Sequence, residues 1–260
     1  MTPAGLQIRE NILRCSKISG HGHIPTSFSV IELMMSVYNV MRHDPKNPQW
    51  EERDLFVLSK GHGALGFYCT LAQYGYFDVK EVEAFGKSGS KFGCHADRHK
   101  VPGAEVSTGS LGHGIGVAAG MALALKIKKS PRKVYTLIGD GESNEGTVWE
   151  ALMVAENLKL DNFTVLFDGN ESQKRCLPIT RAKEKFSAFG CDAIEVNGHD
   201  VAEIENALRA PTDKPKAIVA RTVKGYGCKT LVENVYEWHR KSPNEEEFNR
   251  LMEELHAQAI

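Results

Sequence analysis

The chain contains 260 residues, of which 42% are apolar and 25% are charged, and its formal net charge is −1. This composition is typical of a soluble globular protein and excludes intrinsic disorder, a collagen-like repeat and a coiled-coil rod as descriptions of the whole chain. The balanced charge favours neither nucleic acid nor an anionic membrane as a partner, and no apolar run approaches the ~20 residues that span a bilayer. Because charged residues occupy the N-terminus, where a signal peptide would be apolar, we expect a cytoplasmic protein.

The first third of the chain is predicted to be mostly helical, because its apolar residues recur at helical spacing. The predicted helices in this part are residues 5–18, Ser27–Met41, 63–74 and 79–85. Ser27 or Ser29 is a candidate N-cap for the second of them. A short apolar run at Phe56–Leu58 predicts a strand that ends in a glycine-containing loop.

Strands and helices alternate over the rest of the chain. The predicted strands are Val134–Ile138, Phe163–Phe167, 192–196 and Ala217–Val223. The predicted helices are Gly112–Lys128, Thr147–Leu158, 181–188, one that begins at Val201 and one from Asn244 to the chain end. Thr147 and Glu150 form a capping-box pattern, and Asp200 is a candidate cap for the helix that begins at Val201.

This alternation of strands and helices predicts an α/β fold. The strands are apolar on both faces, which is typical of a parallel sheet covered by helices on both sides. We therefore predict a doubly wound, mostly parallel sheet with helices on both faces. No linker or internal repeat divides the sequence, so residues 1–260 are predicted to form a single domain.

Polar residues follow two of the predicted strands directly. Gly139, Asp140 and Gly141 follow the first strand, and Asn170 lies just beyond the second. Because the strands belong to one βαβ unit, their carboxyl ends open at the same edge, about 5 Å apart if the strands pair. A carboxylate, an amide oxygen and a loop carbonyl are ligands that Mg²⁺ prefers, and this ion takes further ligands from a phosphate. The spacing therefore indicates a magnesium and phosphate site.

Two other interpretations of the same residues remain open at this point. The Gly-Asp-Gly segment is also compatible with a plain turn that precedes a helix, since such turns are common. A nicotinamide site would also use glycines, but the segment Gly139–Asn144 lacks the third glycine of the G-x-G-x-x-G motif. Asp168, after the next strand, is only a weak candidate for binding a ribose.

The two segments resemble the thiamine diphosphate motif, in which Gly-Asp-Gly is followed by about 30 residues and an asparagine. The chain as a whole resembles the N-terminal, diphosphate-binding domain of transketolases. The matching segments lie in family order and are SGHGHIPTSFS (19–29), RDLFVLSKGHG (53–63), CHADRHKVPGAEVSTGSLGHGIG (94–116), GDGESNEGTVWEAL (139–152), LFDGNESQ (166–173), ARTVKGYG (220–227) and EWHRK (237–241). This resemblance implies the thiamine-diphosphate-binding fold known as the PP domain.

The resemblance also implies roles for individual residues. The positions that match ligands of Mg²⁺, for which Ca²⁺ or Mn²⁺ can substitute, are Asp140, Asn170 and the carbonyl of Ser172. The positions that match cofactor-binding residues are His62, Gly109, Ser110, Leu111, Asp140, Gly141, Glu145, Asn170, Lys224 and His239. Among these, Glu145 matches a carboxylate that contacts the partner domain. The implied catalytic histidines are His23, His95 and His239, and the implied substrate-binding residues are His23, Lys60 and His95.

Histidines in glycine-rich and proline-rich loops suit this chemistry without reference to the family. A neutral imidazole can move protons among sugar hydroxyls near pH 7, and a cationic one can bind phosphate oxygens. His23 is preferred over His21 because its nine-residue distance from Glu32 keeps the spacing of the family. His113 stands where the family usually has a glutamine, so its role is open. The histidines expected to be exposed and without a function are His99, His199 and His256.

The resemblance further implies a missing partner. In the family, a glutamate on a separate pyrimidine-binding domain activates the cofactor, and that domain follows the present one in long members. This chain ends where those members enter a linker, so it resembles the N-terminal, diphosphate-binding subunit of a split transketolase. The expected partner is a subunit that carries the pyrimidine-binding and C-terminal domains, in a heterotetramer of two chains of each kind. The chain alone is expected to bind Mg²⁺ and diphosphate without catalysing the reaction.

The implied activity is transfer of a two-carbon ketol unit from a ketose or ketose phosphate to an aldose or aldehyde acceptor. An alternative keeps thiamine diphosphate but changes the reaction, as in an acyloin-type enzyme or an enzyme of specialised metabolism that acts on a modified sugar. A third interpretation is a non-catalytic regulatory paralogue, which predicts no stabilisation by thiamine diphosphate and Mg²⁺.

Overall fold

A computed structural model describes residues 1–257 of the chain. Its centre is a sheet of five strands, which are β1 Leu55–Leu58, β2 Val134–Gly139, β3 Phe163–Gly169, β4 Asp192–Asn197 and β5 Lys216–Arg221. The strands lie in the order β1-β2-β3-β5-β4, and every neighbouring pair is parallel. The predicted parallel sheet is therefore confirmed, and each predicted strand lies within two residues of its observed bounds.

Helices connect and flank these strands. They are α1 Pro3–Ser19, α2 Ile24–Ser29, α3 Ile31–Val40, α4 Ala64–Gln73, α5 His113–Ile127, α6 Gly146–Asn157, α7 Ala182–Ala188, α8 Val201–Arg209, α9 Lys229–Glu233 and α10 Glu245–Ala257. Short 3₁₀ turns occupy Gly61–Gly63, Val79–Ala84, Glu142–Asn144 and Glu237–His239. None of the helices within residues 1–257 combines the length and the apolar composition needed to span a bilayer.

The strands send alternate side chains into two cores, one on each face of the sheet, because successive strand residues point to opposite sides. In β3, Leu166 packs into the core built with α1 to α4, α8 and α10. Its neighbours Val165 and Phe167 pack into the second core, which is built with α5, α6 and α7. Helices therefore cover both faces, as the continuous apolar strands predicted.

The helix predicted at Ser27–Met41 is two helices, α2 and α3, and neither serine is its cap. The hydroxyl of Ser27 donates to the carbonyl of His23 at 3.0 Å inside α2. The hydroxyl of Ser29 donates to Asp168 Oδ2 at 2.9 Å, so it is engaged by a residue of β3. Pro25 lies in the first turn of α2, a position that proline favours, and this places the start of the helix upstream of both serines.

The capping pattern at α6 is also corrected, whereas the cap of α8 is confirmed. Glu145 is the N-cap of α6, and the hydroxyl of Thr147 donates instead to the carbonyl of Gly112 at 3.0 Å. Asp200 accepts a hydrogen bond from the Glu203 N–H at 3.1 Å, as expected of an N-cap. The predicted extension of the last helix to the chain end lies outside the described residues.

Candidate active site

Loops that follow four of the five strands meet at the carboxyl edge of the sheet. The residues of interest on these loops are Lys60, Asp140, Asn170 and Lys224. β2 and β3 pair directly, with Gly139 aligned with Asp168, so the two polar segments lie side by side as the sequence predicted. This is the edge at which open parallel sheets bind their ligands.

The three residues expected to bind a metal ion adjoin one another. The Ser172 hydroxyl donates to Asp140 Oδ1 at 2.6 Å, and the Gln173 N–H donates to Asp140 Oδ2 at 3.2 Å. The Ser172 N–H donates to Asn170 Oδ1 at 3.0 Å. The Asn170 amide nitrogen donates to Asp168 Oδ2 at 2.7 Å, so its oxygen faces the loop that carries Ser172. A carboxylate, an amide oxygen and this loop are thus close together.

This donor set fits a hard divalent cation. Oxygen atoms from a carboxylate, an amide and a backbone carbonyl suit Mg²⁺ or Ca²⁺ rather than a thiolate-seeking or imidazole-seeking metal. Within residues 1–257 there is no group of three or more His, Cys, Asp or Glu side chains arranged to hold a metal ion. The predicted shell contains one carboxylate, Asp140, so a cation here would need phosphate or water oxygens to complete it. The ion itself therefore stays a prediction.

Asp168 is the central acceptor of this edge, a role that the sequence interpretation missed. It is fully buried, and its Oδ2 accepts hydrogen bonds from Ser29 at 2.9 Å, Lys60 at 2.5 Å and Asn170 at 2.7 Å. Its Oδ1 accepts a hydrogen bond from the Thr222 hydroxyl. Because Ser29, Lys60 and Thr222 come from three other segments, Asp168 fixes the positions of those segments relative to its own loop. No local sequence pattern could have indicated these three contacts, since Ser29, Lys60 and Thr222 are far from Asp168 in the chain.

A cavity of about 360 Å³ opens beside the Asp140 cluster. Its lining residues are His23, Thr26, Lys60, His62, His95, Gly109, Leu111, Gly139, Asp140, Gly141, Glu142, Ser172, Gln173, Lys224, His239 and Arg240. Most residues implied by the resemblance therefore face a single space. Asn170 is buried and reaches this space through its contact with Ser172, whereas Ser110 and Glu145 are exposed and do not line it. Their implied contact with cofactor or partner stays a prediction.

Three of the cavity histidines lie close together. The ring centroid of His23 is 5.2 Å from that of His239 and 6.0 Å from that of His62. Burial lowers the pKa of His23 to about 4 and that of His62 to about 2, and burial also lowers the pKa of His239. These imidazoles are therefore neutral at pH 7 and can accept or pass on protons. His95 is exposed at the rim of the same cavity.

Close backbone contacts hold these histidines in place. A Cβ atom on Gly22 would lie 2.2 Å from the carbonyl carbon of Arg240, so the segment before His23 lies directly against the segment that contains His239. His23 itself has a φ of 66°, a left-handed conformation that is uncommon outside glycine and is concentrated at functional sites.

The cavity also contains charged groups of both signs. Burial, together with the charge of Lys60, lowers the pKa of Lys224 from its ordinary value. Burial raises the pKa of Glu142, although its carboxylate accepts hydrogen bonds from the Ser59 hydroxyl at 2.5 Å and the Gly112 N–H at 2.9 Å. A bound anion would stabilise the ammonium of Lys224, because this group is partly desolvated and the positive charge of Lys60 lies beside it.

The histidines expected to be without a function behave differently from one another. His99 is exposed, as expected. His256 is mostly exposed but contacts Glu10 at 2.6 Å. His199 contradicts the expectation, because its side chain is only 6% exposed and both ring nitrogens make hydrogen bonds. The ring of His113 is exposed and lies 3.1 Å from the carbonyl of Leu111.

These features define a class of protein: an α/β fold with carboxylate and amide oxygens, cationic groups and neutral histidines around one cavity at the strand ends. The family model described as "Transketolase, thiamine diphosphate binding domain" matches residues 11–258. The chain therefore belongs to the transketolase family, whose members are transferases, and the resemblance inferred from its motifs is confirmed.

Individual relatives are similar over most of the chain. One subunit of the apulose-4-phosphate transketolase of Actinobacillus succinogenes is 40% identical over 90% of this chain and 87% of its own length. The 6-deoxy-6-sulfo-D-fructose transketolase subunit SqwG of a Clostridium species is 37% identical over 86% of each chain. The solved transketolase of Campylobacter jejuni superposes with a TM-score of 0.86 at 29% identity and 98% coverage of this chain. The present chain spans only 43% of that longer protein.

Proposed function

We propose that this chain is the diphosphate-binding subunit of a two-subunit transketolase. It would transfer a two-carbon ketol unit from a ketose or ketose phosphate donor to an aldose or aldehyde acceptor. The observation that carries this proposal is the position of the Asp140, Asn170 and Ser172 oxygens beside a cavity lined by four histidines and Lys224. The length match with relatives named as subunits supports the division into two chains.

In this proposal the chain anchors the cofactor by its diphosphate. Asp140, Asn170 and the carbonyl of Ser172 would bind Mg²⁺, which in turn binds the diphosphate oxygens. Lys224 would neutralise part of the remaining phosphate charge. Thiamine diphosphate, when bound, supplies the nucleophilic carbon that accepts the two-carbon unit. Leu111 lines the cavity with an apolar surface against which the rest of the cofactor could pack.

The cavity histidines would accept and donate protons beside the reacting sugar. His23, His62 and His239 have lowered pKa values, so each is a neutral base at pH 7 and can hydrogen-bond a hydroxyl in either sense. His95, at the exposed rim, is placed to meet an incoming sugar. We therefore assign His23, His95 and His239 to the substrate and His62 to the cofactor.

The sugar itself has two candidate classes. An ordinary ketose phosphate is the general donor of the proposal. A modified sugar is the alternative, and the names of two relatives support it, since they refer to apulose 4-phosphate and to 6-deoxy-6-sulfo-D-fructose. The loops that carry His23 and His95 border the cavity, so we propose that their sequences contribute to the choice between these classes.

An exposed apolar surface supports the proposal that a second chain, the partner, binds to this one. Val117 on α5 and Met153 and Val154 on α6 are 44%, 53% and 49% exposed, although α5 and α6 pack together on the sheet. We define these three residues as the α5–α6 surface. α5 begins two residues after Leu111, which lines the cavity, so a partner that covers this surface would lie close to the cavity. We propose a heterotetramer of two such chains and two partner chains.

The test is reconstitution with a subunit that carries a pyrimidine-binding domain. The chain alone, the partner alone and the mixture are assayed with thiamine diphosphate, Mg²⁺ and a panel of ordinary and modified ketose donors. We expect turnover by the mixture only, and the preferred donor identifies the sugar class. Turnover by the isolated chain would contradict the two-subunit proposal. Failure of the chain to bind the cofactor would indicate a non-catalytic paralogue instead.

A further inference from the structure

A buried ion pair is formed by two residues, Arg9 and Glu32, that do not line the cavity. The guanidinium of Arg9 donates to both carboxylate oxygens of Glu32, each at 2.7 Å, and the two side chains are 0% and 1% exposed. Burial alone would raise the pKa of Glu32, but the charge of Arg9 and a hydrogen bond from His199 lower it to about 2. Glu32 is therefore ionised and can only accept hydrogen bonds.

His199 connects this ion pair to the loop after β5. Its Nε2 accepts a hydrogen bond from the backbone N–H of Val223 at 2.8 Å. Because Nε2 is an acceptor, the ring proton lies on Nδ1, which donates to Glu32 Oε2 at 3.1 Å. The ring also stacks on Tyr226, with the centroids 3.6 Å apart. Both neighbours thus require the same tautomer and the same ring orientation.

The loop held in this way is the one that carries Lys224. Beyond the contact of His199 with Val223, the Gly225 N–H donates to the carbonyl of Pro25 at 2.9 Å. The guanidinium of Arg9 donates to the carbonyl of Tyr226 at 3.1 Å. Lys224 therefore lies between Val223 and Gly225, and the backbone N–H of each of these two residues is hydrogen-bonded to another part of the protein.

We propose that His199 is a positioning residue for the diphosphate. Its ring accepts a hydrogen bond from the Val223 N–H and donates one to Glu32. These two bonds fix the backbone segment that places Lys224 at the cavity. A charge-assisted contact with a phosphate depends on where the ammonium is held, so a loosened loop weakens binding without removing any group that touches the ligand. This inference rests on the proposed function, because it takes the anion at Lys224 to be the diphosphate of the cofactor.

Two variants of His199 separate its two hydrogen bonds. In His199→Asn the side-chain N–H replaces Nδ1–H and keeps the bond to Glu32, but the Val223 N–H loses its acceptor. In His199→Gln the side-chain oxygen reaches the position of Nε2 and keeps the bond from Val223. His99→Asn, at an exposed histidine, is the matched control.

The full chain is used for two measurements. Hydrogen exchange of the peptide that covers Val223–Gly227 is followed without any ligand, and binding of thiamine diphosphate with Mg²⁺ is measured by calorimetry. We expect His199→Asn to exchange about tenfold faster in this peptide and to bind about tenfold more weakly, because the Val223 N–H loses the hydrogen bond that holds its backbone in place. His199→Gln should stay within about threefold of the wild type in both measurements, since that bond is kept.

Wild-type exchange and wild-type affinity in His199→Asn would overturn the inference. Equal losses of thermal stability in the Asn and Gln variants, without a specific change in the Val223–Gly227 peptide, would also overturn it and indicate a purely structural residue. A wild-type chain that does not bind thiamine diphosphate would contradict the proposed function and the ligand assigned to Lys224. The exchange experiment would then still decide whether His199 anchors the loop.

Discussion

The imidazoles of His23 and His62 make the fold sensitive to acid. Burial lowers their pKa values to about 4 and about 2, whereas in the unfolded chain both histidines have the ordinary pKa of 6.5. The unfolded state therefore takes up more protons as the pH falls below 6.5, which favours unfolding. The contribution of the two neutral imidazoles to the free energy of unfolding is fully present above that pH. It is lost as the pH falls towards the pKa values of the folded state.

We predict that His62→Asn reduces this acid sensitivity. Between pH 7 and about pH 5, the free energy of unfolding of the variant should fall by about 2 kcal/mol less than that of the wild type. Urea unfolding at the two pH values measures the difference. His99→Asn is the control and should lose as much stability as the wild type. Parallel losses in His62→Asn and the wild type would show that the imidazole is not held neutral by the fold.

A second prediction concerns the buried pair of Lys60 and Asp168, whose side chains are 1% and 0% exposed. Asp168→Asn should lower the free energy of unfolding by about 3 kcal/mol, because it leaves the Lys60 ammonium buried without its counter-charge. Adding Lys60→Met should recover part of this loss. The exposed pair of Lys126 and Asp161 provides the control, and Asp161→Asn should cost less than about 1 kcal/mol. Additive effects of the two substitutions in urea unfolding would contradict the coupling.

Some of these residues could be predicted from the sequence and others could not. Asp140 and Asn170 each follow a strand of one βαβ unit, so the parallel arrangement predicts that they lie at the same edge, and the direct pairing of β2 with β3 makes them neighbours. Asp168 and His199 depend on partners such as Ser29 and Glu32, which come from helices far away in the chain. Only the packing of those helices on the sheet brings the partners together, and no local pattern indicates it.

At the scale of elements, the contact between the segment before α2 and the segment 237–241 is a point of close packing. We predict that Gly22→Ala lowers the free energy of unfolding by about 2 kcal/mol, because the new Cβ would overlap the Arg240 backbone. Gly116 lies on the open face of α5, and a Cβ added there would meet no atom within 4 Å, so Gly116→Ala should be neutral or stabilising by up to about 1 kcal/mol. Urea unfolding compares the two. Equal effects of the two substitutions on the free energy of unfolding would contradict the close packing of these two segments.

The elements themselves were predictable to different extents. Strands such as β2 and β3 are continuous apolar runs, so their positions followed from the sequence. The break between α2 and α3 at Val30 did not, because the apolar stripe continues across it. The five-residue helix α9 was also missed, since so short a helix depends on tertiary packing rather than on its own propensity.

At the scale of the whole molecule, the α5–α6 surface places three exposed apolar side chains on two helices that pack against each other. We predict that Met153→Asp prevents stable association with the proposed partner chain, because it places a charge on the exposed apolar surface that the partner would cover. Ile18→Asp, at an isoleucine of α1 that is 44% exposed, is the matched control and should associate normally. Co-purification with the partner measures both. Normal association of Met153→Asp would place the interface elsewhere.

The order of the strands could not be read from the sequence. The sequence predicted that β2 and β3 share one edge but left their direct pairing as a condition, and it gave no indication that β5 lies between β3 and β4. This placement matters for the site, because it brings Thr222 to Asp168 and Lys224 to the cavity.

The most direct test of the whole account is calorimetric titration of the chain with thiamine diphosphate in the presence of Mg²⁺. The wild type and the control Asp161→Ala should bind, whereas Asp140→Ala and Asn170→Ala should each bind at least about 100-fold more weakly, since each loses an oxygen ligand of the ion. Wild-type affinity in both site variants would contradict the central claim that these two residues anchor the cofactor.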